Sequence, residues 1–97
     1  MQKLDTPSLR AALASGAVAR LEIRRVGRGY ALRVQWRDGF SGPCWLHLQR
    51  RGADGKPRRS ERASLDGWRY AIGRLQVPDD VPVVYPTGNG GGDGDGL

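Results

Sequence analysis

Residues 18–50 read VARLEIRRVGRGYALRVQWRDGFSGPCWLHLQR, and this run decides the fold. From Ala17 apolar and polar side chains alternate with a period of two, the mark of strands with one dry face and one wet face. Ala19, Leu21 and Ile23 are expected inside, with Arg20, Glu22 and Arg24 outside. Gly27-Arg28-Gly29 then supplies a tight hairpin, since glycine admits the positive φ of such turns. The returning strand places Tyr30, Leu32, Val34 and Trp36 inside and Ala31, Arg33, Gln35 and Arg37 outside. After a turn opened by Asp38-Gly39, a third strand puts Cys44, Leu46 and Leu48 inside and Trp45, His47 and Gln49 outside. The reading is a three-stranded antiparallel meander whose outer face is basic.

Outward from the meander, Thr6 and Pro7 open a first helix of about two turns, with Leu9, Ala12 and Leu13 on one face and Gly16 as its stop. Residues 51–59 form a polar loop, and Arg59 to Ala63 offers a short fourth strand. Ser64 caps a second helix in which Leu65, Trp68, Ile72 and Leu75 recur at helical spacing, opposite Arg69 and Arg74. Val81 to Tyr85 is a last strand, which Pro82 confines to an edge because it lacks an amide proton. Residues 87–97 are rich in glycine and aspartate and are expected to be disordered. The expected fold is therefore α+β: a two-layer domain over residues 1–86, with a three- to five-stranded, mainly antiparallel sheet and two helices in the order α-β-β-β-(β)-α-β.

Composition narrows the function classes. No apolar run approaches the roughly 20 residues of a membrane span, and the N-terminal residues lack a signal-peptide core, so the expected location is cytoplasmic with no membrane contact. Cys44 is the sole cysteine, which excludes an internal disulfide and a zinc site built on thiolates. His47 is the sole histidine, with no flanking acid and no second ligand, so neither a metal nor a catalytic dyad is expected. Gly27-Arg28-Gly29 is followed by a strand, whereas a phosphate-binding glycine loop must lead into a helix. Asp93-Gly94-Asp95-Gly96 lacks the other acidic positions of a calcium loop. Glu22 and Glu61 are explained by surface ion pairs with nearby arginines. The chain is expected to be non-enzymatic and to need no cofactor.

What remains is charge. All 16 Lys and Arg lie at or before Arg74, against 6 acidic side chains in the same stretch, an excess that points to a polyanionic partner. The candidate contact residues are Arg20, Arg24, Arg33, Arg37, Trp45, His47 and Gln49 on the sheet, extended by Arg28 at the hairpin tip and by Lys56, Arg58 and Arg59 in the long loop. Arginines fork onto phosphates, an indole stacks on a base, and glutamine reads a base edge. The partner is either a nucleic acid, DNA ahead of RNA, or a protein, including a second copy of the chain, that meets the same face or the Pro82 edge. Replacing Arg33 and Arg37 together is expected to abolish binding and spare the fold.

The run from Ala14 to Val77 resembles the ParC-like partition-associated proteins encoded beside partition genes on plasmids and integrative elements. The likeness is carried by the first strand Val18-Ala19-Arg20-Leu21-Glu22-Ile23-Arg24, the basic meander, and the segment Arg59-Ser60-Glu61-Arg62-Ala63-Ser64-Leu65-Asp66 leading into a helix. The tryptophans and the glycine-rich tail depart from that pattern. The resemblance implies an accessory role in the maintenance of mobile DNA and no catalytic residues.

Overall fold

The first helix, α1 (Thr6–Ser15), begins one residue earlier than its sequence signals indicate. Asp5 rather than Thr6 is the cap, its Oδ1 accepting from Ser8 N at 3.1 Å. A carboxylate there also meets the positive end of the helix dipole, an advantage that a hydroxyl lacks. Pro7 sits in the first turn, and Gly16, in the left-handed conformation at φ 80°, ends a helix of ten residues. Leu9 and Leu13 are buried, and Ala12 packs beside them. The computed structural model describes residues 4–48, 52–56 and 58–86. The expectation of disorder over residues 87–97 lies outside them.

Strands β1 (Val18–Val26) and β2 (Gly29–Trp36) pair antiparallel along their whole length and form the spine of the sheet. Their turn is two residues long, with Gly27 at φ 55°. Near the start of β1 the register slips: Val18 faces Trp36 and Arg20 faces Gln35, leaving Ala19 as an extra residue. The bulge shifts the alternation by one. Val18, not Ala19, therefore joins Leu21 and Ile23 on the inner face, and Val18 and Leu21 retain no exposed surface.

A short third strand, β3 (Cys44–Trp45), pairs with β2, and a fourth, β4 (Glu61–Arg62), takes over that same edge further along at Tyr30 and Ala31. The chain leaves β2 between them. Leu46 N still bonds Leu32 O, but His47 N bonds Leu4 O and Leu48 N bonds Arg58 O. The expected inward position of Leu48 is thus lost, and 46% of it is exposed. Where β4 arrives, a Cβ on Gly29 would stand 2.9 Å from the Arg62 carbonyl oxygen, so only glycine admits this approach.

The second helix, α2 (Leu65–Leu75), is capped by Ser64, whose hydroxyl accepts from Gly67 N at 3.1 Å. Trp68, 1% exposed, docks it on the sheet, and its indole N–H donates to Tyr30 O at 2.9 Å. The last strand, β5 (Val83–Val84), lies parallel to β1 at the far edge, where Pro82 contributes its carbonyl to Leu21 N. The sheet is mixed, in the order β3-β2-β1-β5 with β4 beside β2, and the fold is α+β. Leu9, Leu13, Trp68 and Leu75 from the helices share one core with Val18, Leu21, Ile23, Leu32, Val34 and Leu46 from the sheet. Each fully buried aliphatic side chain contributes about 1.5–3 kcal/mol to that core. Both helices lie on this inner layer, and among the described residues no element covers the other face of the sheet.

Candidate nucleic-acid interface on the sheet

On the uncovered face the register sets Val84, Glu22, Arg33 and Trp45 in one row across four strands. Residues paired in this way carry their side chains on the same side, close enough to interact. Glu22 is the centre. Arg33 holds its Oε1 with Nη2 at 2.9 Å and Nε at 3.1 Å, Arg20 Nη2 reaches Oε2 at 2.7 Å, and Arg24 Nη1 lies 3.7 Å from Oε1.

Glu22 is expected from sequence as a surface ion pair, yet it is only 7% exposed, because the arginine side chains close over it. Burial pushes its carboxyl upward. The hydrogen bonds from Arg33 and Gln35 and the charges of Arg20 and Arg33 outweigh burial and hold the carboxyl below its ordinary value. One carboxylate thus orients three guanidiniums, and the group as a whole stays cationic.

Next in the row, Trp45 is half-buried, and Arg59 lies over its ring at 4.9 Å. Arg59 reaches this position because its backbone bridges to His47, and Glu61 Oε2 holds its guanidinium at 3.0 Å. Arg20, Arg24, Arg33, Trp45, His47 and Arg59 therefore gather on one face. Arg28 stands apart at the exposed hairpin tip, and Lys56 and Arg58 are exposed in the loop before β4. Gln49 lies outside the described residues.

Arg37 has a different occupation. Its Nε donates to Val18 O at 3.0 Å and its Nη2 to Asp80 Oδ2 at 3.0 Å, fastening the start of β1 to the turn after α2. With Arg33 committed to Glu22, the Arg33/Arg37 double replacement removes structural contacts as well as charge, and it cannot leave the fold unperturbed.

One exposed residue has no place in the sequence reading. Phe40, 94% exposed, sits on a turn wound around Asp38, whose Oδ1 accepts from Phe40 N and Ser41 N at 2.9 Å each and whose Oδ2 accepts from the Ser41 hydroxyl at 2.6 Å. These hydrogen bonds hold the Asp38 carboxyl below its ordinary value, the Ser41 hydroxyl contributing most. The available signal was Asp38-Gly39-Phe40-Ser41 itself, an Asx-turn pattern with an apolar residue at its apex.

Among the described residues no group of three His, Cys, Asp or Glu side chains is placed to hold a metal ion, and no helix is long and apolar enough to cross a membrane. The chain matches no protein-family model, no curated protein and no solved structure.

Proposed function

We propose that this is a non-enzymatic nucleic-acid-binding protein that contacts DNA through the uncovered face of its sheet. The observation that carries the reading is the row in which Glu22 gathers Arg20, Arg24 and Arg33 beside Trp45. Guanidiniums preset in this way engage phosphates with less loss of side-chain freedom, and an adjacent indole offers a base a surface to stack on. The resemblance of residues 14–77 to partition-associated proteins supplies the setting, maintenance of mobile DNA.

Salt dependence tests the proposal and gives it a number. Eight described candidate cations, Arg20, Arg24, Arg28, Arg33, Arg37, Lys56, Arg58 and Arg59, are set against the carboxylates of Glu22, Glu61 and Asp80. That leaves five uncompensated, so the logarithm of the affinity for duplex DNA should fall against the logarithm of salt with a slope of about −4.5. Fluorescence anisotropy with a labelled duplex measures it, and Arg24→Ala combined with Arg28→Ala should flatten the slope. Absence of binding at low salt, together with a dimer mass in light scattering, would instead assign the face to a protein contact.

A further inference from the structure

On the helix side of the sheet, between α1, α2 and the β3–β4 margin, lies a cavity of about 260 Å³. Its floor is apolar: Leu46, Trp68 and Leu75 are 4%, 1% and 7% exposed, and Ala71 lies beside them. Its rim is basic. Arg10 comes from α1, Arg62 from β4 and Arg74 from α2, and among the described residues no carboxylate lines the cavity. These residues converge because α2 presents positions 68, 71 and 75 on one face, while β4 brings Arg62 alongside Tyr30.

The cavity arginines differ from those of the sheet face in one respect. Arg20, Arg24, Arg33, Arg37 and Arg59 each meet a carboxylate, whereas Arg10, Arg62 and Arg74 form no ion pair among the described residues. Two of them are held in place by rings. Arg62 lies over Trp68 at 5.3 Å, and Arg74 Nη1 donates to the Tyr70 hydroxyl at 3.1 Å. Behind them Ser60, 9% exposed, contributes to the wall of the cavity. Cations without a carboxylate partner above an apolar floor, with a serine in the wall, match a ligand that has an anionic end and an apolar body.

We propose that this cavity binds a small organic carboxylate with an aromatic or branched aliphatic body. The body rests on Trp68, Ala71 and Leu75, the arginines take the carboxylate, and the Ser60 hydroxyl supplies a further hydrogen bond. Small-molecule sites run from roughly 300 to 1,000 Å³, so a cavity of about 260 Å³ suits a ligand of one ring or a short branched chain. The site lies on the layer opposite the sheet face and does not depend on nucleic-acid binding.

An NMR titration of the full chain with 3-phenylpropionate tests this. Saturable shifts are expected at the Trp68 indole N–H and at the Ser60 and Ala71 amides, with the Trp45 indole unmoved. The neutral isostere 3-phenylpropanamide should bind at least tenfold more weakly, and so should Arg62→Gln combined with Arg74→Gln. Because Arg62 also stacks on Trp68, the exposed Arg10→Gln serves as a second variant with an expected loss of at least threefold. The proposal is overturned by absence of saturable shifts at these residues, by equal binding of the amide, by undiminished binding in Arg10→Gln, or by inorganic phosphate producing the same shifts as 3-phenylpropionate.

Discussion

Replacing Glu22 with Gln keeps the size of the side chain and removes the charge around which three arginines are arranged. A hydrogen bond to a charged group contributes about 1.5–3 kcal/mol when shielded from water. The carboxylate side chain is 9% exposed, but Arg33, Arg20 and Arg24 are 26%, 43% and 51% exposed, so solvent screens much of the attraction. Glutamine also still accepts one bond from Arg33. The net loss at pH 7 is then about 1–2 kcal/mol, which lowers the melting temperature of a domain this size by about 5–10 °C.

The dependence on pH makes the prediction specific. The folded carboxyl titrates below its ordinary value, so Glu22 contributes its full stabilisation above the unfolded value of about 4.3 and loses it as pH falls through the folded value. Urea unfolding of both proteins from pH 7 to pH 3 should therefore show a gap that is constant down to about pH 5 and narrows below it. Asp38 titrates in the same region, but it is common to both proteins and cancels from the difference. A gap that persists unchanged at pH 3, or a variant as stable as the parent at pH 7, would refute the view that ionised Glu22 organises the face.

Three further changes test the scaffold. Gly29→Ala places a methyl group 2.9 Å from the Arg62 carbonyl oxygen and should cost about 1–3 kcal/mol in chemical unfolding, by forcing β4 away from β2. Trp68→Phe removes the indole hydrogen bond to Tyr30 O along with part of the packing, and should cost about 1–3 kcal/mol by the same assay. Gln76 closes α2 in the left-handed region at φ 57°, so Gln76→Gly should raise stability by about 0.5–1 kcal/mol, measured as a higher denaturation midpoint with unchanged slope.

Much of the fold was legible because it rests on local rules. Ser64 and the spacing of Leu65, Trp68, Ile72 and Leu75 define α2 without reference to the rest of the chain, and Pro82 by itself consigns β5 to an edge. The misplaced residues share a non-local cause. Ala19 is small enough for either face, so nothing in the sequence marks the bulge that sends Val18 inward instead. Leu48 follows the alternation of Cys44 and Leu46, and only the departure of the chain from β2 after Leu46 turns it to solvent. In the site, Arg20 and Arg24 flank Glu22 at two-residue spacing and are readable, but Arg33 joins them only through the β1–β2 register. The cavity arginines come from three separate segments, and no local pattern links Arg10, Arg62 and Arg74.

Charge counted along the sequence treats these arginines as equivalent, and the structure separates them by what each must give up to bind an anion. A phosphate that approaches Arg33 or Arg20 competes with Glu22 for donors already satisfied at 2.9 and 2.7 Å. Arg24, at 3.7 Å and half exposed, gives up far less and is the member of the group best able to turn outward. On the sheet face, then, Glu22 fixes the positions of guanidiniums and weakens each one's pull, a balance suited to many contacts spread along a polymer backbone. Among the described residues no carboxylate lines the cavity, so Arg10, Arg62 and Arg74 give up no ion pair there to bind an anion. Concentrated charge without carboxylate partners above buried apolar side chains favours one compact ligand over a long one, so the two proposed sites call for different anions.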